Sequence, residues 1–516
     1  MSLPEAFLQN LRAQLGEAEF RLYLEAMDQP HARGLRLNPL RALSADWRSV
    51  GPDGLEGPIP WAAGAWYLAP DSRAGAHPLH EGGAYYLQEP SAMAAVAALD
   101  VRPGQRVLDL CAAPGGKSTQ IAGLLAGEGL LVANEPVPTR AQVLSRNVER
   151  LGVRNAAVLC ALPDALQARF PAFFDRVLVD APCSGEGMFR RQIEARAEWT
   201  PDSPARCAAR QLDILRCAAR MLRPGGLMVY STCTFNAVEN EGVLERFLSE
   251  HPDFMPDAFA LPGLDPAPAG VLRLFPQRVR GEGHFVSRLR RATDAPVPAK
   301  GGRPSRPRKS AALPPWREPL AQCLAQALSP QADAQALLAR AQAFGDALYA
   351  VPDGLPDLSG LRALRVGLLL GHVAGRRVEP DHALAMALRP DEALHEAALT
   401  AEEALHYQHG DARPAPEDAP RGYTLMTLAA RWALPSVPTG CTRTAIPRDC
   451  AVERQEGPGG VASRPFFVNA ARALPAAQPA VPAAPARHSE SGAFASCGET
   501  RACPSGRPPR PTARRP

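Results

Sequence analysis

Between Arg102 and about Arg291 the chain alternates short runs of β-branched and aliphatic residues with longer segments whose apolar positions recur at helical spacing. The short runs predict strands at 106–110, 130–134, 156–160, 175–180 and 226–231, and the periodic segments predict helices at 117–126, 138–151, 204–222 and 237–250. Such alternation builds an α/β domain, an open and mostly parallel sheet covered by helices on both faces. Residues 271–291, VLRLFPQRVRGEGHFVSRLRR, depart from it: two apolar runs flank a turn containing Gly281 and Gly283. A hairpin is expected there, giving the parallel sheet an antiparallel end.

Outside this stretch the pattern changes. Residues 1–95 open with an amphipathic helix and continue in turn-rich segments. In one of these, HARGLRLNPLR, Arg33, Arg36 and Arg41 surround Asn38, a mixture that suits phosphate contacts as well as it suits a solvated loop. Residues 96–292 form the sheet domain. Residues 293–315 are too rich in Pro, Gly and Lys/Arg to bury a core and read as a basic linker, with Arg303, Arg306, Arg308 and Lys309 either touching a polyanion or simply solvated. Helical periodicity returns at 317–349, a small α+β module follows, and 316–432 is expected to fold. Beyond 433 the sequence is dense in Pro, Arg, Ala, Gly and Cys without apolar periodicity. A disordered tail and out-of-frame translation of a GC-rich gene both give this composition, and reading the gene in its other two frames separates them.

With 516 residues there is room for roughly three domains. Hydrophobic and charged fractions of 46% and 21% are ordinary for a soluble globular protein. The net charge is only +4, so polyanion binding must come from local basic patches. The first helix mixes acids and bases with apolar residues, unlike a signal peptide, and no apolar run approaches a bilayer span. A cytoplasmic protein without a membrane partner is expected. Eleven cysteines, an odd number scattered through a long chain, do not form a disulfide framework, and Cys111, Cys160, Cys207 and Cys217 read as buried small hydrophobes.

Two further cysteines stand elsewhere in the pattern. VLVDAPCSGEGMFRR, residues 177–191, is an apolar strand that ends in Asp180 and turns through Pro182, Cys183 and Ser184; YSTCTFN places Cys233 just past the apolar run 226–230. A buried parallel strand delivers polar side chains at its carboxyl end, so two strand-end thiols point to one active site. RVLDLCAAPGGKSTQIA, residues 106–122, is strand, tight glycine turn and helix. Gly115 and Gly116 permit a close backbone approach to a ligand, and the helix offers free N–H groups and a positive dipole end. Neither the Walker spacing nor G-x-G-x-x-G is present. Glu135 lies about twenty residues past the glycines, where an acid accepts both hydroxyls of a ribose. Asp109 ends the first strand and can hold an amino group, while Asp164, after the third strand, can meet an adenine or start a helix. A nucleoside cofactor with no phosphate at the loop fits S-adenosylmethionine.

LDLCAAPGGK, VDAPCSGEGMFRR and YSTCTFNAVENE, in this order, resemble the signature motifs of the Sun-domain (Nol/Nop/Sun) family of RNA cytosine-5 methyltransferases. GAYYLQEPSAM and FPQRVRGEGHF resemble its RsmF-like bacterial ribosomal RNA subgroup, and the match covers residues 5–430. The resemblance implies a Rossmann-like S-adenosylmethionine-dependent methyltransferase domain between N-terminal and C-terminal α+β RNA-binding modules. It implies a cofactor loop of Cys111, Ala112, Ala113, Pro114, Gly115, Gly116 and Lys117, with Asp109, Glu135, Asp164 and Asp180 around it. It further implies Cys233 as the attacking thiolate, Cys183 as the thiol of product release, Asp180 against the cytosine edge and Lys117 near the active site. Two thiols suit the chemistry. Carbon 5 of cytosine is a poor nucleophile; a thiolate adding at carbon 6 makes an enamine that takes the methyl group, and a protonated carboxyl at ring nitrogen 3 neutralises the developing charge. A base must then strip the carbon 5 proton. The residues alone do not order the two cysteines.

For RNA, Arg190 and Arg191 follow the Cys183 loop, Arg278, Arg280 and Arg288 lie on the hairpin, and with Arg36 they are the expected phosphate contacts. Tyr86, Phe189 and Trp199 are candidates for stacking on a flipped base or for core packing. GYTLMTLAARWALP, from Gly422, resembles the start of a PUA-like domain near 405–432, yet the basic continuation is missing after Leu434. The partner implied is small-subunit (16S) ribosomal RNA or the small ribosomal subunit, bound by a monomer without a metal ion. A transfer RNA substrate is the alternative within the enzyme class, and a non-catalytic RNA-binding assembly factor outside it.

Overall fold

The structure, a computed structural model, describes residues 3–41, 51–297, 313–409, 423–428 and 464–465. Most of the expected linker, Gly422 and nearly all of the expected tail lie outside the described residues. Two helices, α1 (Glu5–Leu15) and α2 (Glu17–Met27), meet at Gly16, whose φ of +77° favours glycine. They bury Phe7, Leu11, Phe20 and Tyr23 against Phe189, Trp199, Phe235 and Phe275, which belong to loops around the thiol-bearing strand ends. Next come β1 (Arg33–Leu37), β2 (Leu55–Pro58), β3 (Ala65–Leu68), the short α3 (Pro78–Glu81) and β4 (Tyr85–Leu87), whose strands form an antiparallel sheet in the order β2-β3-β1-β4. Sequence pattern predicts only turns here, because strands of three to five residues are too short to show alternation.

The central domain follows as α4 (Met93–Leu99), β5 (Arg106–Asp109), α5 (Gly116–Leu125), β6 (Leu130–Asn134), α6 (Pro138–Arg150), β7 (Ala156–Leu159), α7 (Pro163–Gln167), β8 (Phe174–Asp180), α8 (Ile193–Glu198), α9 (Ser203–Met221), β9 (Leu222–Thr232), α10 (Glu241–Glu250), β10 (Phe254–Pro256), β11 (Val271–Leu274) and β12 (His284–Arg291). The strands lie in the order β10-β12-β9-β8-β5-β6-β7, with β11 also on β12. Strands β5 to β9 pair in parallel, and β12 pairs antiparallel with β9, β10 and β11, the expected antiparallel end. Leu108, Val132, Ala157, Val177 and Val229 are fully buried, as two covered faces require. Each large aliphatic side chain buried here contributes about 1.5–3 kcal/mol. Strand order reverses at β5, whose neighbours are β6 and β8. The crevice outside the carboxyl ends at such a reversal is where open α/β sheets bind ligands. Helix α10 begins at Glu241 instead of 237, because Asn236 Oδ1 accepts from the Glu239 N–H at 2.8 Å and holds the preceding residues in a turn.

Beyond the linker are α11 (Arg317–Ala327), α12 (Ala334–Ala339), β13 (Ala341–Phe344), β14 (Ala347–Ala350), β15 (Ala363–Val366), β16 (Leu368–Ala374), β17 (Arg377–Pro380) and α13 (His382–Ala387). The helical periodicity at 317–349 is thus two helices and a hairpin: Pro330 follows the first helix, and Gly345, at φ +67°, turns β13 into β14. Strands β13, β14, β16 and β17 make a second antiparallel sheet, while β15 leaves it to pair antiparallel with β7 and extend the central sheet. A last small parallel sheet joins β18 (Glu396–Leu399), β19 (Tyr423–Leu428) and β20 (Arg464–Pro465), with α14 (Ala401–His409) between the first two. Among the described residues, no helix is long and apolar enough to cross a membrane.

Candidate active site

At the β5/β6 side of the crevice, β5 carries Asp109 into a fully buried position. Its Oδ2 accepts from the Ser118 hydroxyl at 2.6 Å, and its Oδ1 has no hydrogen-bond partner. Burial pushes the carboxyl up to about 7, against the opposing Ser118 hydrogen bond. Asn134, at the end of β6, ties three loops together: its amide donates to the carbonyls of Leu110 (3.2 Å) and Ala161 (3.0 Å), and its Oδ1 accepts from the Ala161 N–H. The loop between β5 and α5 is fixed from outside, with Arg140 on the Ala113 carbonyl (3.1 Å) and Asn147 on that of Pro114 (2.9 Å). Gly115 has φ +116°, and no side chain caps the start of α5. A Cβ on Gly116 would stand 3.1 Å from Tyr86 Cε1, so this glycine makes room for the β4 aromatic ring. Glu135 is buried, accepts from the Val137 N–H at 3.0 Å and lies 3.4 Å from Arg140. Asp164 is exposed in the first turn of α7, where it accepts from its neighbour's N–H and is not the N-cap.

The β8/β9 side carries the reactive groups. Asp180 lies opposite Ser231 in register, and the loops beyond these strands bring Cys183 Sγ to 3.3 Å from Cys233 Sγ. Lys117 donates to Asp180 Oδ2 at 2.8 Å, and Ser231 Oγ to Oδ1 at 2.8 Å. His284, the first residue of β12 and almost fully buried, points Nε2 at Asp180 Oδ1 from 3.4 Å without hydrogen-bond alignment. Burial pushes the Asp180 carboxyl up, but the Lys117 ammonium and His284 outweigh it and hold it well below the usual carboxylate range. This setting favours the charged form of Asp180. Burial pulls Lys117 down while Asp180 lifts it further, leaving a firm ammonium whose charge also interacts with Cys233. The hydrogen bond to Cys233, then burial, then Glu239 raise the Cys183 thiol well above its ordinary range.

Three family models match successive parts of the chain: the N-terminal domain of 16S rRNA methyltransferase RsmF on residues 3–90, 16S rRNA methyltransferase RsmB/F on 96–290, and the RsmF rRNA methyltransferase first C-terminal domain on 329–388. The chain is thus similar to RsmB/F methyltransferases along three successive parts of its length. The Ribosomal RNA small subunit methyltransferase F of Salmonella paratyphi B is 40% identical over 313 residues, which are 58% of this chain and 65% of that one. The same figures hold for its Salmonella enteritidis counterpart, so the chain spans 65% of the length of these relatives. The crystal structure of PH0851 is similar with a TM-score of 0.51 and 26% identity, over 56% of this chain and 66% of that chain. RsmB/F methyltransferases depend on S-adenosylmethionine. The residues present fit that cofactor: the buried Asp109 Oδ1 has an acceptor to offer an amino group, Glu135 offers a buried carboxyl just past β6 for hydroxyl donors, and the start of α5 is uncapped.

Several expected phosphate contacts are structural instead. Arg36 is buried and donates to Gln88 Oε1 (3.1 Å), the Gly116 carbonyl (3.1 Å) and Thr119 Oγ1 (2.9 Å), so it anchors the start of α5. Arg190 is also turned inward. It pairs with Glu282 (2.7 Å) and donates to the carbonyls of Ala26 (2.6 Å) and Gly281 (3.1 Å), tying α2, the Cys183 loop and the hairpin loop together. Arg41 donates to the carbonyls of Met386 and Leu388, and Arg288 pairs with Asp257 (2.6 Å). Arg191 is exposed, as is Arg280, which pairs with Glu56 and lies over the Tyr67 ring. Phe189 and Trp199 pack edge-on to Phe7, and Tyr86 is buried between Arg36 and Arg150, so all three are packing residues. Cys111, Cys160, Cys207 and Cys217 are only partly buried, because each stands at a loop or helix surface. Sequence reasoning missed Asn134, His284, Glu186 and Glu239. The last three lie inside motifs used for the resemblance, and that membership was the available signal.

Proposed function

We propose that the chain is an S-adenosylmethionine-dependent RNA cytosine-5 methyltransferase that makes 5-methylcytosine in 16S ribosomal RNA, acting in the cytoplasm as a monomer on the RNA or the small subunit. The observation that carries this is the pair of thiols 3.3 Å apart at adjacent parallel strand ends, beside the Lys117–Asp180 ion pair. The 16S substrate is supported by the descriptions of the family models and the Salmonella relatives. Cys233, the thiol whose neighbourhood includes the Lys117 ammonium, adds as thiolate to carbon 6 and leaves the ring an enamine. Asp180, ionised, accepts from the exocyclic amine of cytosine, and Lys117 offsets negative charge building on the ring. S-adenosylmethionine supplies the electrophilic methyl group for carbon 5. Elimination then removes the carbon 5 proton to a base, restores the ring double bond and releases the Cys233 sulfur as thiolate. Cys183, kept as a thiol, stabilises that leaving sulfur by hydrogen bonding.

Bisulfite mapping of ribosomal and transfer RNA from cells with and without the gene tests the proposal. One 16S cytosine should lose methylation with the gene. A loss confined to transfer RNA selects the other substrate, and unchanged methylation in both pools defeats the enzyme reading.

A further inference from the structure

The loops that carry Cys183 and Cys233 are held to one another by two buried glutamates for which the methyl-transfer chemistry has no use. Glu186 follows Cys183 and accepts from the backbone N–H groups of Phe235 (2.9 Å) and Asn236 (3.0 Å), both just past Cys233. Glu239 follows Cys233 and reaches the opposite way, accepting from the Ser184 N–H at 3.0 Å and from the Ser184 hydroxyl. Asn236 stands between them, its amide donating to Glu186 Oε1 (3.1 Å) and to Glu239 Oε1 (2.8 Å). Gln211 of α9 adds a hydrogen bond to Glu239 Oε2 at 2.8 Å, and the Gly187 N–H donates to the Cys233 carbonyl at 2.9 Å. Glu186 is 3% exposed and Glu239 is fully buried.

Two carboxylates out of water are costly to a fold, and apolar side chains of similar size would often serve its stability as well. What apolar side chains cannot do is accept several N–H bonds at fixed angles from a facing loop. We propose that Glu186 and Glu239 are positioning residues for the cysteine pair, a reciprocal clasp that keeps the Cys183 sulfur against the Cys233 sulfur through adduct formation and release. Its catalytic consequence rests on the cytosine-5 reading; its geometric consequence does not.

Two measurements on the full chain and its Glu239→Gln and Glu186→Gln variants test this. In Glu239→Gln, one of the two oxygens becomes an NH2 that faces either the Ser184 N–H and Gln211 or the Ser184 hydroxyl and Asn236. The first measurement is independent of activity. In a glutathione redox buffer, one cysteine takes a glutathione by thiol–disulfide exchange and the other displaces it. The products are the Cys183–Cys233 disulfide and reduced glutathione, with oxidised glutathione accepting the two electrons. Mass spectrometry of the peptides gives the effective concentration of one thiol for the other. It should fall at least tenfold in either variant, and wild-type values in both folded variants overturn the clasp. If Glu239→Gln fails to fold by its thermal melt, Glu186→Gln decides on the same scale. The second measurement is turnover. Glu239→Gln should lose at least tenfold in kcat, with KM for RNA and cofactor within twofold of wild type, and hold more RNA in a denaturation-resistant adduct; Glu239→Asp should recover part of the kcat. An unchanged kcat and adduct fraction overturn the catalytic role. A lowered effective concentration in a protein whose wild type makes no 5-methylcytosine supports the clasp and removes the cytosine-5 reading instead.

Discussion

On the β8/β9 half of the crevice the groups around the thiols answer one another. Asp180 takes hydrogen bonds from Lys117 and Ser231, Cys183 meets Cys233, and Ser184 is held by Glu239. On the β5/β6 half, Asp109 keeps one buried oxygen without a partner, its carboxyl is pushed up to about 7, and the helix facing it starts without a side-chain cap. Partnered groups fix bond-making geometry in advance, which is where an enzyme gains most from preorganisation. An unpartnered acceptor costs stability and is worth that cost when it meets a donor from a ligand. In the proposed function the two halves serve one reaction with opposite patterns of hydrogen bonding.

The largest effect expected is on the partnered half alone. Cys233→Ala should lower turnover by about four orders of magnitude or more, since it removes the covalent step, while calorimetry shows cofactor binding unchanged. Cys183→Ala should retain attack and trap a protein–RNA adduct resistant to denaturation. An adduct that persists in Cys233→Ala and is lost in Cys183→Ala exchanges the two roles. Cofactor binding lost along with turnover in Cys233→Ala would mean that the halves are not separable.

Both thiols were legible because a strand that ends in a polar residue leaves its signature in consecutive positions, and the parallel sheet because helix and strand periods alternate locally. What joins distant segments left no such trace. Nothing in ALRV at 363–366 says that it pairs with β7, because either edge of a sheet offers the same backbone ladder. Arg36 and Arg190 looked like phosphate ligands from their basic neighbours in sequence, yet their partners are Gln88 and Thr119 for one and Glu282 for the other. Whether an arginine turns inward depends on a carboxylate or carbonyl that the fold brings up from far along the chain. Glu186 and Glu239 stand inside the motifs with no legible role for the same reason, since each bonds the loop that carries the other.

Arg190→Ala should cost about 3–5 kcal/mol of unfolding free energy, because it leaves the buried Glu282 without its cation. Urea unfolding measures it, and Glu282→Gln in the Arg190→Ala background should recover part of the loss. A smaller cost, with weakened RNA binding instead, would return Arg190 to the phosphate surface and loosen the account of the β8/β9 half.

For Asp109 the sign is opposite. Its folded pKa of about 7 lies above the ordinary carboxyl value of about 3.9, so the stability linked to its proton is fully present below the lower value and is lost as pH rises through the higher one. Between pH 4 and pH 8 the wild type should lose a few kcal/mol relative to Asp109→Asn in urea unfolding of the ligand-free protein. The same variant should bind S-adenosylmethionine about tenfold more weakly or worse, having given up a charge-assisted acceptor. Parallel pH profiles for the two proteins would show Asp109 to be satisfied like the carboxylates of the other half.

The smallest effect separates two neighbours on one loop. Arg191 is exposed directly after the inward-turned Arg190, so its charge lies in solvent beside the crevice while that of its neighbour is spent on Glu282. Arg191→Ala should leave the unfolding free energy unchanged and lower the slope of log affinity against log salt by about one for a 16S ribosomal RNA fragment, the release of one phosphate counterion. An unchanged slope with a lowered melting temperature would put Arg191 among the packing residues. The partnered half of the crevice would then hold the base from this loop through its cysteines and Asp180 alone, and the RNA backbone would have to be held from the hairpin, where Arg280 is exposed over Tyr67.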